Sequence, residues 1–182
     1  MFGALEQVSD SFLLNLAEVS ATLIGLFLVG VFFYVETGFR RLEHVRDVME
    51  PYVRAGTRIV LILYALPLGL SLTLVVLGPN WNRVLFALFS LMLLAANIDT
   101  FLRIWVVAKV TGSAVLLMNE ILGTVAVLFL VVLPWALGGL HPTREDLTWA
   151  ILISFAAGFL SVGALVMSVF DTAKFEAPAR RS

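Results

Sequence analysis

Five long apolar runs, separated by short polar punctuation, set the pattern of the chain. They cover residues 12–35, 58–77, 84–108, 113–137 and 147–170. Roughly 20 apolar residues suffice for a helix to cross about 30 Å of hydrocarbon, so each run predicts a transmembrane helix. Thr37-Gly38 closes the first run, Gly78-Pro79-Asn80 the second, and Gly138-Gly139-Leu140-His141-Pro142 the fourth. Only Thr111-Gly112 divides the third from the fourth, so those two spans form an antiparallel hairpin. Residues 1–182 therefore read as a single all-α membrane domain, a bundle of five transmembrane helices without a linker or soluble module.

A finer pattern runs inside the first span. Ser11, Asn15, Glu18, Thr22, Gly25, Val29, Phe32 and Glu36 follow one another in steps of four and three, which places them on one face of a helix. From the N-terminal end, polar groups give way to Gly25, then to Val29 and Phe32, then to Glu36. Residues 39–52 carry a different periodicity. Phe39, Leu42, Val45, Met49 and Tyr52 share a face, with Arg40, Arg41 and Arg46 elsewhere. That predicts a short amphipathic helix in the cytoplasmic interface, its arginines setting the topology, with contact to anionic lipid headgroups as the alternative role. Pro51 is placed to open the second helix, and Pro67 lies inside it.

Composition strengthens the membrane reading. Charged residues make up 14% of the chain, against about 25% in a soluble domain, and mean hydropathy is +1.00. There is no cysteine, which excludes disulfides, thiolate metal sites and cysteine nucleophiles. The net charge of −1 decides nothing, but the placement of the 12 Lys and Arg residues does. Only Arg83 and Arg144 fall on one side of the five spans, while all the others fall on the opposite side. The positive-inside bias then predicts an N-terminus outside and a C-terminus in the cytoplasm. The first span lacks a basic leading region and a small-residue cleavage pattern, so it does not read as a cleavable signal. An absence of N-x-S/T sequons fits a bacterial inner membrane.

Polar residues within the spans are the candidate chemistry. Glu18 lies about seven residues, or roughly 10 Å, below the outer end of its helix. Ser71, Thr73 and Ser154 are the nearest polar groups in height. Two readings stand: a neutral Glu18 hydrogen-bonded between helices, or a charged one facing water or a cation. Ala17, Ala21 and Gly25 beside it also fit ordinary helix packing. A second cluster lies in the inner half. Asp99 and Arg103 are spaced i,i+4, Asn97 is close by, and Asn119 and Glu120 of the next span reach a similar height. It reads as a clasp across the hairpin, with an ion or proton path as the alternative. A partner lost from such a buried clasp is expected to be costly. Ser154, Gly158, Ser161 and Ser168 form a packing face on the fifth span, and Trp81, Trp135 and Trp149 form an outer aromatic belt.

Residues 16–26, LAEVSATLIGL, resemble the opening of small bacterial multi-pass membrane proteins. That likeness covers one span and implies membrane integration, with no activity carried over. The order of a carboxylate followed by hydrophobic residues is also similar in design to the pore helix of store-operated calcium channels. That helix, however, begins in the cytoplasm with basic residues, whereas this one begins outside and is acidic, so the likeness is analogy alone.

HExxH, GxSxG, P-loop and dinucleotide fingerprints are all missing, as are basic nucleic-acid patches. Neither enzymatic activity, a cofactor nor nucleic-acid binding is expected. The leading expectation is a self-associating, cation-selective channel lined by the first helix. Glu18 would bind the cation, Val29 and Phe32 form a hydrophobic gate, and Glu36 line the inner mouth. The alternatives are a non-conducting accessory subunit that binds another membrane protein, and a small proton-coupled transporter using Asp99, Arg103 and Glu120.

Overall fold

The computed structural model describes residues 8–38, 46–111 and 114–179. It is all-α: α1 is Asp10–Gly38, α2 Arg46–Val76, α3 Pro79–Thr111, α4 Ala114–Gly138 and α5 Arg144–Ala179. All five helices are long and apolar enough to cross a membrane, as a multi-pass membrane protein requires.

The helices overrun the apolar runs that predict them, because capping chemistry rather than hydropathy sets their ends. Ser9 caps α1, its Oγ accepting from the Phe12 amide at 3.2 Å, with Asp10 in the first turn facing the helix dipole. Thr143 and Asp146 cap α5 reciprocally. The Thr143 amide donates to Asp146 Oδ2 at 2.8 Å, and the Asp146 amide to Thr143 Oγ1 at 3.4 Å. Pro79 occupies the first position of α3, where a missing N–H costs nothing. Gly139, at φ 59°, turns the chain out of α4 in a conformation that a side chain would strain.

One element differs from expectation. Residues 46–52 belong to α2 itself, which runs on without a break through Pro51, so Pro51 does not open that helix. Residues 39–45, the other half of the expected interfacial helix, lie outside the described residues.

Helices α2, α3, α4 and α5 pack as a ring in chain order, α5 returning to α2, while α1 packs on the outside against α2. Half of the α2 span is buried, against 11% of the α1 span. Leu63, Leu66, Leu70, Phe86, Leu93, Leu130 and Ile151 fill the ring and are fully buried. Lipid tails are as apolar as these residues, so close van der Waals packing and interhelical hydrogen bonds hold the ring together.

One of the central hydrogen bonds traces to Pro67. Pro67 has no N–H, which leaves the Leu63 carbonyl four residues earlier without its helical donor. Ser154 of α5 supplies one, its Oγ donating to Leu63 O at 2.5 Å. Ser20 of α1 donates to the next carbonyl, that of Tyr64. Two flanking helices thus donate to the backbone near Pro67, and at Leu63 the donor answers a broken ladder, as neighbours do in lipid. Ser154→Ala is expected to destabilise the protein by about 0.6–1.7 kcal/mol in a reversible micellar unfolding measurement, and unchanged stability would refute the role given to this bond.

Candidate functional site

The first helix has two faces of opposite character. Leu13, Ala17 and Ser20 are buried, and Ile24, Phe27 and Val31 continue that stripe half-buried. The described side chains of the predicted line, Ser11, Asn15, Glu18, Thr22, Val29 and Phe32, are all exposed, as is Gly25. At 3.6 residues per turn the two stripes lie about 150° apart. The line therefore points away from the protomer's own bundle, and Phe32 is 67% exposed. The Glu36 side chain lies outside the described residues.

This geometry separates Glu18 from the hydroxyls nearest to it in height. Ser154 is committed to Leu63, and Thr73 Oγ1 donates to its own helix at Leu70 O, 3.0 Å away. Ser71 is fully buried. Among the described residues no cation pairs with the Glu18 carboxylate. Thr22 Oγ1 donates to the Glu18 carbonyl at 2.9 Å, which uses its proton and leaves oxygen lone pairs as acceptors toward the exposed face. Ala17 packs on α2, but Ala21 and Gly25 are exposed, and a Cβ on Gly25 would meet nothing within 4 Å. Within the protomer this row of small residues is therefore not a packing face.

No group of three or more acidic or histidine side chains comes together among the described residues. Among the described residues of the line Glu18 is the one carboxylate, so a cation site of several carboxylates at that level draws on Glu18 from several copies.

In the inner cluster, the described contacts of Asp99 run along α3 and across to α2. Asp99 Oδ1 accepts from Arg103 Nε at 3.0 Å, and Arg58 of α2 approaches Asp99 Oδ2 at 3.8 Å. The carboxylate thus ties α3 to α2, a contact that the i,i+4 spacing alone does not reveal. Asn97 lies on the opposite side of α3, buried in a stripe with Asn82, Phe86, Ser90, Leu93 and Thr100. Side chains of Asn119 and Glu120, and Arg40, Arg41 and the side chain of Arg46, lie outside the described residues. The side chains of Arg58, Asp99 and Arg103 are 61%, 40% and 44% exposed, so the pair lies on the surface of the protomer and not in its core. The expected cost of breaking a buried pair does not apply. Asp99→Asn is expected to cost less than about 1 kcal/mol in the same unfolding measurement, and a loss of several kcal/mol would contradict a pair held at the protomer surface.

Other expected features divide. Ser154 and Gly158 are buried, as a packing face on the fifth helix requires, and Ser161 is half-buried. Trp81 and Trp149 are exposed at the predicted outer interface, whereas Trp135 turns onto Phe86 with ring centroids 6.1 Å apart. At that end, Arg144 of α5 also pairs with Asp10 of α1. No family model, curated protein sequence or solved structure matches the chain.

Proposed function

We propose that the protein is a homo-oligomeric, cation-selective channel of the bacterial inner membrane, with α1 of each copy lining the pore. The N-terminus faces outside and the C-terminus the cytoplasm, as the one-sided distribution of Lys and Arg favours. Residues between α1 and the membrane-spanning part of α2 lie in the cytoplasmic interface, where Arg40, Arg41 and Arg46 meet headgroups.

The observation that carries this reading is the outward direction of the polar line. A lone protomer would expose Asn15 and Glu18 to lipid, and a charged side chain costs about 2.5–3.5 kcal/mol at mid-bilayer even on the mildest scale, less toward the interface. Copies arranged with these faces inward replace lipid by water. The result is an outer carboxylate ring of Glu18, acceptor oxygens of Thr22 below it, a constriction at Val29 and Phe32, and Glu36 at the inner mouth. Carboxylate rings favour cations, and apolar constrictions gate by dewetting.

The open row of Ala21 and Gly25 favours a second reading, an accessory subunit whose α1 packs against a different membrane protein. Reconstitution separates the two. Cation flux from proteoliposomes holding the purified chain as a defined oligomer supports the channel, whereas a folded protein without flux supports the accessory subunit. The transporter reading has less behind it, because two arginines at the edge of the bundle already hold Asp99.

A further inference from the structure

Inside the ring of α2–α5, the hydroxyl oxygens of Ser71, Ser90 and Thr124 and Oδ1 of Asn82 are buried without a hydrogen-bond partner among the described residues. Ser71, Asn82 and Ser90 are 0%, 6% and 5% exposed. Each such atom is costly in a membrane, because neither lipid nor bulk water can satisfy it.

These groups are not scattered. Asn82, Ser90 and Asn97 lie on the buried face of α3, and contacts between helices set the levels of the others. A Cβ on Gly69 would lie 3.0 Å from Cε2 of Phe89 and 3.9 Å from Cδ2 of Leu85. Ser71, two residues nearer the end of α2, therefore lies close to the level of Asn82. Phe86 on Trp135, at 6.1 Å between ring centroids, sets α3 against α4. From that contact toward the start of α4, Ser90 and Leu130 both come about one turn along. Asn97 and Thr124 both come about 16 Å along. The result is three polar levels across the ring, with the buried side chains of Phe86 and Leu93 between them.

The middle level carries the argument furthest. Pro134 lies buried inside α4 and has no N–H to offer the Leu130 carbonyl. That carbonyl repeats the situation of Leu63, which Ser154 answers directly. At Leu130 no described side chain donates, while Ser90 at the same level has a buried hydroxyl with its proton unused. A donor and an acceptor at one level, not bonded to each other, are what a bridging water joins. All the groups at the three levels are neutral hydroxyls, amides or carbonyls. They match a neutral ligand that both donates and accepts, and no charge is present to hold an ion.

We propose that the interior of the ring binds water at these levels, with the defining site between the Ser90 hydroxyl and the Leu130 carbonyl. The site lies within one protomer and does not depend on α1 lining a pore. Radiolytic labelling of the full chain in lipid nanodiscs tests it, because X-rays turn a bound water into hydroxyl radicals that oxidise the side chains beside it. Leu130 and Leu63 are the same residue type and are both 0% exposed. Peptide mass spectrometry is expected to find Leu130 oxidised several-fold more than Leu63, whose carbonyl is bonded directly. Ser90→Ala is expected to abolish that excess and to raise the unfolding equilibrium constant about fivefold, the effect of one net hydrogen bond. A dry ring gives the opposite sign, since the substitution then removes a buried hydroxyl that bonds to nothing. Equal oxidation of Leu130 and Leu63 overturns the proposal, as does an excess at Leu130 that survives Ser90→Ala. A Ser90→Ala protein as stable as wild type, or more stable, overturns it as well.

Discussion

Replacing Glu18 with Gln is expected to lower cation flux about tenfold or more, because a ring of like charges concentrates counter-ions at a pore mouth by that order. The substitution keeps the size and shape of the side chain and removes the charge, exchanging one acceptor oxygen for an NH2 donor. Glu18 is exposed and pairs with no cation among the described residues, so no ion pair of the protomer is broken. Assembly and unfolding stability should therefore match wild type, measured on the same preparation as the flux. Residual selectivity should fall with the flux, since the acceptors left at this level, Asn15 and Thr22, are neutral. Undiminished flux in Glu18→Gln would remove Glu18 from the ion path.

The second large effect concerns the scaffold. A Cβ built on Gly158 would lie 2.6 Å from Cε1 and 3.0 Å from Cζ of Tyr64, closer than packed carbon atoms come. The ring is closely packed by its neighbours on α5. It is 2% exposed, with Phe155 at 6.4 Å and Phe159 at 6.1 Å between ring centroids. Gly158→Val must shift the Tyr64 ring or push α5 away from α2, at an overpacking cost of about 1–3 kcal/mol. Ser154 lies one turn earlier on the same face, so its bond to Leu63 weakens along with the packing. Reversible unfolding of Gly158→Val beside Gly163→Val measures this, because Gly163 is exposed with nothing within 4 Å of its Cβ. Equal stability of the two variants would contradict the close approach of α2 and α5.

The five helices were legible because transmembrane spans announce themselves by length and hydropathy, and both signals are local. Their ends were not, since a cap such as Ser9 or Thr143 extends a helix by hydrogen bonds that hydropathy does not register. The continuity of α2 through Pro51 was missed for a related reason. Proline marks a favoured start, but packing decides whether the helix already exists before it. The polar line of α1 was readable from periodicity as one face, while its direction was not. Direction depends on where α2 lies, and Ser20, the residue that docks α1 there, forms no part of the line. Pro67 carried an unused signal. A proline within a membrane helix frees the carbonyl at i−4, here that of Leu63, and Ser154 on a neighbouring helix answers it. The Arg58–Asp99 contact required knowing that α2 and α3 meet at that height, which no spacing within one helix supplies.

The central claim is that the exposed face of α1 meets the same face of other copies. The chain has no cysteine, so a single introduced cysteine reports one position without background. The decisive measurement is oxidative cross-linking in native membranes of Val29→Cys beside Ile24→Cys, on the exposed and α2-facing sides of α1 respectively. The account predicts covalent dimers of the chain from Val29→Cys and none from Ile24→Cys. Cross-linking absent at Val29 in an intact oligomer, or equal at the two positions, would contradict a pore lined by α1.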